Sequence, residues 1–322
     1  MASGLTHILL TKKLQDHLPD GKLKNIIAFG SDAMQVGAVA PDIPYASIVD
    51  NDIFHSHCDL ADNFHYEQTN QIPLRALEML RQTKDSTELK THYYQFCFYL
   101  GYISHVFGDG IIHPFVRDKV GDYKENAAAH RGLELQLDVV LLRSLTAHTG
   151  LDFEINYTKL QNELLNFAET PGVSEIVRSF SALIEEVYRK SFTEKEILGW
   201  IKGLYRLFAL AKNNLPSICR GLKCNTVFYK DFKEIDVEEV TTLRKPKDRE
   251  HNFLNKATIS FLDDCVPQYF RKFDRIAQQA YDYVYCDGQP VTEAEIPMID
   301  LDTGRLLSKP GLDEVPAFWI NN

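Results

Sequence analysis

Apolar side chains recur at intervals of three and four residues along most of the chain, which is the pattern of helices with one buried face. The segment from about 88 to 108 is apolar on nearly all sides, and we expect it at the centre of the molecule. Helices are predicted over residues 6–18, 73–83, 88–108, about 125–146, 155–168, 173–191, 194–213, 252–264 and 267–285. Thr193 and Glu196 form a predicted capping box before the helix at 194.

The last third of the chain follows a different pattern. Residues 214–250 are irregular with β-like stretches, and residues 286–322 are rich in Pro, Gly and Asp, as in an extended tail. Strands and helices do not alternate, so a βαβ fold is excluded. The sequence predicts an all-α multi-helix bundle with a helical core over 1–213 and a partly irregular segment over 214–322 that packs on this core.

Composition and charge narrow the function classes. The chain has 44% hydrophobic and 25% charged residues, as in an ordinary folded protein. The chain contains no run of 18 apolar residues, so no membrane span is predicted. No signal peptide pattern is recognisable at the start. Six cysteines without a CxxC spacing favour free thiols, so we expect a cytoplasmic protein or one exported without a classical signal. A net charge of −10 argues against a nucleic-acid partner.

Histidines are concentrated in one part of the sequence. Seven of the eleven lie between positions 55 and 130, close to several carboxylates. His105 and Asp109 are four residues apart, His113 follows after four more, and His130 and Glu134 repeat the step on the next predicted helix. Since residues four apart share a helix face, two antiparallel helices would present these groups together. Imidazole and carboxylate are ligands that zinc prefers, which predicts a metal site.

Each of these residues also has an ordinary structural interpretation. A single His and Asp one turn apart is most often an ion pair. His7 alone could be merely a polar residue near the N-terminus, and Asp42 alone could be a turn aspartate. Asp138 either orients a ligand imidazole or pairs with Arg131 or Arg143. Of the remaining histidines, His55, His57 and His65 cannot all be ligands, and surface or packing roles are expected for His17, His92, His148 and His251.

Five motifs in chain order carry a resemblance to a known family. They are Gly4–His7, Gly37–Asp42, Phe64–Glu67, Tyr99–His113 and His130–Glu134. Together they resemble the zinc-dependent phospholipase C family, which includes bacterial phosphatidylcholine-hydrolysing enzymes and the catalytic part of glycosylphosphatidylinositol-specific phospholipase D. P1 nuclease is a more distant relative. The resemblance covers about residues 4–140 and implies an all-α fold with two to three metal ions, mostly zinc.

The resemblance also implies residue roles. His105 and Asp109 would bind one metal with a histidine from the third motif, for which His65 is preferred and His55 and His57 are alternatives. Asp109 would bridge to a second metal bound by His7. A further metal would be held by His113, His130 and Glu134, and Asp42 would be the general base or the water-orienting carboxylate.

The resemblance is incomplete at one metal. In the secreted phospholipases C the mature amino terminus completes a metal site, whereas no signal is visible here and His7 lies close to Met1. The step from Asp109 to His113 matches the phospholipase D branch better.

Three functions remain in consideration. The first is a zinc-dependent phospholipase C that acts on phospholipid, with peripheral membrane contact and phosphatidylcholine as the favoured substrate. In this interpretation Tyr45, Phe64 and Tyr66 line a head-group pocket, although all three could simply be packing residues. The second is a P1-like nuclease or nucleotidase, and the third is an inactive, metal-stabilised module that binds lipid or protein. The sequence indicates neither the protein partners nor the oligomeric state.

Overall fold

A computed structural model describes residues 4–49, 57–147, 172–212, 229–244, 258–311 and 313–320. These residues form mostly helices, which confirms the all-α prediction. The α-helices are α1 Gly4–His17, α2 Lys22–Phe29, α3 Ser31–Gly37, α4 Cys58–Tyr66, α5 Gln71–Thr83, α6 Leu89–Val120, α7 Tyr123–Ala147, α8 Val173–Tyr188, α9 Glu194–Lys212, α10 Val237–Thr241 and α11 Val266–Tyr285. Short 3₁₀ helices span Ala40–Val49, Phe232–Glu234 and Ala317–Trp319, a π turn spans Phe261–Cys265, and the strands are β1 Thr242–Arg244 and β2 Thr258–Ser260.

Helix α6 is the centre of the molecule. Its 32 residues begin after Glu88, whose carboxylate accepts a hydrogen bond from the Thr91 backbone N–H. Every residue from Gln95 to Val116 is buried, as the apolar pattern predicts. The helix continues well past the predicted end at 108, even though Gly108, Gly110 and Pro114 lie within it. The helix therefore carries all three of His105, Asp109 and His113.

Glycines bring α3 into backbone contact with α6. A Cβ atom on Gly37 would lie 1.9 Å from the Phe98 carbonyl oxygen, and one on Gly101 would lie 2.1 Å from the Met34 carbonyl oxygen. No side chain larger than hydrogen fits at either position. This contact places the segment after α3, which includes Ala38 and Asp42, beside the middle of α6.

The other elements agree with the sequence prediction in part. The capping box at α9 is present, since the Thr193 backbone N–H donates to Glu196 Oε2 at 2.7 Å and the Glu196 N–H donates to Thr193 Oγ1 at 3.3 Å. The predicted helix 155–168 lies outside the described residues. Helices α2, α3 and α4 are too short to be recognised from their apolar period.

The predicted helix 252–264 is wrong at Thr258–Ser260, which form a strand, whereas Phe261–Cys265 are helical. Thr258–Ser260 pair with Thr242–Arg244 as a two-stranded antiparallel sheet, and the π turn follows. A short apolar run does not distinguish a strand from a helix. Thr258 and Ile259 are β-branched, and pairing with β1 favours the strand.

The chain after α11 packs on the helical core. The Phe318 ring stacks on Phe107 of α6 at 4.2 Å between centroids, and the Trp319 indole N–H donates to the Ile111 carbonyl oxygen at 3.1 Å. Among the described helices, none has the length and apolar character that a membrane span requires.

Candidate metal centre

Asp109 is the centre of a buried cluster of four histidines. The Nε2 atoms of His7 and His113 lie 3.1 and 3.3 Å from Asp109 Oδ1. Those of His105 and His65 lie 3.1 and 3.6 Å from Asp109 Oδ2. All five side chains are at most 3% exposed. Residues from α1, α4 and α6 thus converge on one carboxylate.

Backbone carbonyl oxygens orient three of these rings. Each ring donates its Nδ1–H, and a carbonyl oxygen only accepts, so the hydrogen is on Nδ1 and the neutral ring has its lone pair on Nε2. The bonds are His65 to Ala61 at 2.7 Å, His105 to Ala38 at 2.9 Å and His113 to Leu301 at 2.8 Å. Three lone pairs are therefore directed at the space around Asp109.

This arrangement has the features of a cation site. The Nε2 atoms of His65 and His105 lie 3.3 Å apart, and each also faces Asp109 Oδ2, so lone pair meets lone pair. Among the described residues, both carboxylate oxygens of Asp109 and the Nε2 atoms of His7 and His113 are buried without a hydrogen-bond partner. Unsatisfied buried polar atoms cost about 1–3 kcal/mol each, whereas a bound metal ion would satisfy them together.

Two triads have the spacing of ligands to one ion. In each, the three donor atoms lie within 4.8 Å of one another. The first contains His7, Asp42 and His105, and the second contains His65, His105 and Asp109. Both triads share His105, so they describe adjacent parts of one centre, and the donor set of imidazole nitrogen and carboxylate oxygen fits zinc.

Ionisation in this centre suits metal binding. Burial lowers the pKa of His113 well below its ordinary value, so the ring is neutral and its lone pair is available.

Helix α7 adds a second carboxylate beside His113. Glu134 Oε1 lies 3.7 Å from His113 Nε2, and burial raises the pKa of Glu134 to about 7. His130, one turn earlier, donates its Nε2–H to the Gly121 carbonyl oxygen at 2.5 Å. Its Nδ1 is buried with no hydrogen-bond partner among the described residues, so this ring offers Nδ1 rather than Nε2. Glu134 thus lies beside His113, whereas none of the described contacts joins His130 to another candidate ligand.

Asp42 lies at the edge of the cluster. Its Oδ1 is 3.3 Å from His65 Nε2, and its side chain is 10% exposed, more than the side chains around Asp109. Burial would raise its pKa, yet His105 and His65 together lower it, so Asp42 is a carboxylate. Pro41 and Pro44 restrict the backbone on both sides, as the sequence pattern indicates.

Asp138 contacts the start of α1 and a tyrosine from a distant segment. Its Oδ1 accepts from the Thr6 backbone N–H at 2.9 Å and from the Thr6 hydroxyl at 2.7 Å, and its Oδ2 accepts from the Tyr229 hydroxyl at 2.9 Å. Asp138 therefore anchors the start of α1 and with it the next residue, His7.

The three aromatic residues predicted to line a pocket lie in different environments. The Tyr45 and Tyr66 rings lie 5.9 and 6.2 Å from the His65 ring, and Tyr66 is 37% exposed. Phe64 is wholly buried and packs on Tyr102, Phe180 and Tyr188. Phe64 thus has no surface open to a substrate, whereas the two tyrosines flank the cluster.

The other histidines lie away from the cluster or outside the described residues. His57 packs edge-on against Phe192 and also contacts Trp200, so it is not among the residues around Asp109. His17 stacks on Phe270, and His92 is bonded through its ring to Leu80 and Tyr285. His55, His148 and His251 fall outside the described residues.

Comparison with known families agrees with this geometry. The family model described as zinc dependent phospholipase C matches residues 6–194, more than half of the chain. The chain belongs to the zinc-dependent phospholipase C family. No curated protein and no solved structure matches it.

The match to the zinc-dependent phospholipase C family covers every metal-ligand candidate from His7 to Glu134. It ends at 194, so the sheet, α11 and the segment after α11 lie beyond it. Sequence reasoning missed the carbonyl partners of the ligand histidines. Ala38 and Ala61 lie near predicted ligands, but no sequence signal links Leu301 to His113, 188 positions earlier.

Proposed function

We propose that this protein is a zinc-dependent phosphodiester hydrolase that acts as a phospholipase C. It cleaves the glycerol-side phosphodiester bond of a phospholipid and releases diacylglycerol and a phosphorylated head group. The observation that carries the proposal is the set of imidazole lone pairs directed at Asp109, beside the partly accessible carboxylate Asp42. We assign two to three zinc ions to this centre.

Zinc bound there would neutralise phosphate oxygens and lower the pKa of a coordinated water toward 7. The ligands are His7, His65, His105, Asp109, His113, His130 and Glu134. Asp42 is the general base: a carboxylate whose Oδ1 lies 3.3 Å from a ligand ring is placed to accept or orient the proton of the attacking water.

Substrate contacts come from residues at the edge of the centre. Tyr45 and Tyr66 present ring surfaces beside His65, and a choline group stacked on them would gain about 0.5–2 kcal/mol by cation–π attraction. We therefore favour phosphatidylcholine, reached by peripheral membrane contact. A net charge of −10 disfavours a long polyanion such as DNA.

The test is metal analysis combined with a substrate panel. Zinc-loaded protein is assayed on phosphatidylcholine, phosphatidylinositol, single-stranded DNA and a chromogenic phosphodiester. We expect at least two zinc ions per chain and release of phosphocholine. DNA cleavage with all lipids intact would replace this function by that of a nuclease, and a zinc-loaded protein that cleaves nothing would indicate a binding module.

Asp42→Asn separates chemistry from metal binding. The variant should keep fold and zinc but lose most hydrolysis, because an amide does not accept the proton of water. The control is Asp59→Asn, which makes the same change at an exposed position on α4 whose carboxylate pairs with Lys190. Full activity in Asp42→Asn would remove Asp42 from the mechanism.

A further inference from the structure

A turn near the end of the chain touches two of the candidate ligands. We call residues 296–305 the C-terminal turn. Its buried residue Leu301 donates its backbone N–H to the His65 carbonyl oxygen at 3.0 Å. The Leu301 carbonyl oxygen accepts the Nδ1–H of His113 at 2.8 Å. A single residue outside the family match therefore contacts the backbone of one ligand and the ring of another.

Side chains next to the ligands fasten this turn. The Thr69 hydroxyl donates to the Ile299 carbonyl oxygen at 2.7 Å and accepts from the Ile299 N–H at 3.2 Å. Asn70 donates to the Ile296 carbonyl oxygen at 2.8 Å. All of these groups are buried, so the bonds are shielded from competition with water.

The shape of the turn is set by Asp300. Its Oδ1 accepts from the backbone N–H groups of Asp302 and Thr303 at 2.8 and 2.9 Å. Gly304 closes the turn at φ 67°, and a Cβ atom there would lie 2.5 Å from the Gly110 carbonyl oxygen. This close approach is compatible with the position of Pro114, which lacks the N–H that would otherwise bond to Gly110 within the helix.

A charged contact fixes the turn to α6. The Arg117 guanidinium donates to Asp302 Oδ2 at 2.5 Å, and the Asp302 side chain is only 11% exposed. Arg117 lies one helical turn after His113. The C-terminal turn is thus attached to α6 on the same stretch that carries the ligands, and to the chain that follows His65.

We propose that the C-terminal turn is an integral part of the metal centre and that the Leu301 carbonyl group positions His113 for zinc. The bond to Leu301 fixes the hydrogen on Nδ1, orients the ring and leaves Nε2 directed at Asp109 and Glu134. This inference rests on the zinc binding in the proposed function. It makes Leu301, and Asp300 through the shape of the turn, positioning residues that contact no substrate.

The experiment compares Asp300→Ala with Asp300→Asn. Asparagine keeps a side-chain oxygen that accepts the two backbone N–H groups, and alanine does not. Zinc affinity is measured by chelator competition, and the melting temperature of the chelated protein reports the fold alone. We expect Asp300→Ala to bind one zinc about 10–100-fold more weakly, as for other groups that orient a ligand, and Asp300→Asn to restore affinity. Asp313→Ala, at an exposed site that follows the C-terminal turn, is the control and should bind as wild type.

A second pair covers the case in which Asp300→Ala does not fold. Thr69→Val preserves shape but removes both bonds to Ile299, whereas Thr69→Ser keeps the hydroxyl. The valine variant should lose zinc affinity and the serine variant should not. Zinc affinity within twofold of wild type in folded Asp300→Ala or Thr69→Val would overturn the proposal.

The wild-type protein supplies an independent readout. A nitrogen–proton NMR spectrum reports which nitrogen of each histidine ring carries the hydrogen. The His113 signal is identified as the one that disappears in His113→Gln, and in wild type it should report a neutral ring with its hydrogen on Nδ1. A hydrogen on Nε2 of His113 would overturn the proposal without any variant. If wild-type protein binds no zinc, the proposed function fails instead. If it binds zinc and Asp300→Ala is unchanged, only the present inference fails.

Discussion

Asp109→Asn should change stability in opposite directions with and without zinc. The amide keeps the shape of the side chain but loses the charge and replaces one oxygen by an NH₂ group. In metal-free protein that group donates a hydrogen bond to an imidazole lone pair that otherwise faces a carboxylate oxygen at 3.1–3.6 Å. The metal-free variant should therefore be at least as stable as wild type. With zinc it should be less stable, because the proposed ligand whose carboxylate faces four histidines is impaired.

The size of the effect follows from linkage. At free zinc of about 1,000 times the dissociation constant, one site stabilises the folded state by about 4.1 kcal/mol. A hundredfold loss of affinity removes about 2.7 kcal/mol of this. For 322 residues at about 2.1 cal/mol/K per residue, the unfolding entropy is near 0.7 kcal/mol/K, so the zinc-dependent rise in melting temperature should shrink by about 4 °C per affected site.

The assay is thermal unfolding of both proteins in chelator and in buffered free zinc. Asp16→Asn, at an exposed position of α1, is the control and should keep the wild-type response. The reasoning is refuted if the zinc-dependent shift of Asp109→Asn equals that of wild type. It is also refuted if chelated Asp109→Asn melts well below chelated wild type, because the carboxylate would then be stabilising without a metal.

Three further predictions address the edge of the centre, the packing of His7 and the pH dependence of stability. The Arg131 side chain is 39% exposed, and its guanidinium lies 3.8 Å from the Glu134 carboxylate. If this cation contacts the substrate phosphate, Arg131→Gln should lower kcat/KM about tenfold without loss of zinc. An unchanged kcat/KM would exclude the contact. A Cβ atom on Gly108 would lie 2.9 Å from His7 Nδ1, so Gly108→Ala should reduce the zinc content measured by elemental analysis, whereas Gly21→Ala, with open space around it, should not. Burial raises the pKa of Asp274 to about 6, so the charge of Asp274 destabilises the folded state above that pH and not below pH 4. Asp274→Asn should therefore raise the free energy of unfolding by about 1 kcal/mol at pH 7.5, a figure reduced for solvent screening. Denaturant titrations should show no gain at pH 3.5.

The sequence predicts the parts of this molecule that depend on local periodicity. The apolar stretch before Gly108 correctly indicates the central helix, and the four-residue steps from His105 to His113 place these side chains on one buried face. The ordered motifs identify the family, which the family model confirms. The individual metal ligands and the catalytic role of Asp42 stay predictions, although all of these candidates except His130 contact another member of the cluster.

The remaining features depend on contacts between distant segments. Thr258–Ser260 form a strand because β1 lies beside them, which no local pattern in 252–264 reveals. Asp138 accepts a hydrogen bond from Thr6, 132 positions earlier. Its position one turn after Glu134 on the same helix does not reveal this contact. Phe64 is next to His65 in sequence, yet successive residues of a helix point in different directions, so one is in the aromatic core while the other reaches Asp109.

The bond between His113 and Leu301 has a consequence for the order of folding. It joins positions 188 residues apart, and His7 enters the same centre from the opposite end of the chain. Contacts of such long sequence separation form slowly, since the entropy of closing the intervening loop is lost before the contact is gained. A nascent chain that has emerged only as far as α8 contains every candidate ligand but lacks the group that orients His113. Full zinc affinity should therefore appear only after the last segment of the chain has docked, which makes metal loading a late event in maturation.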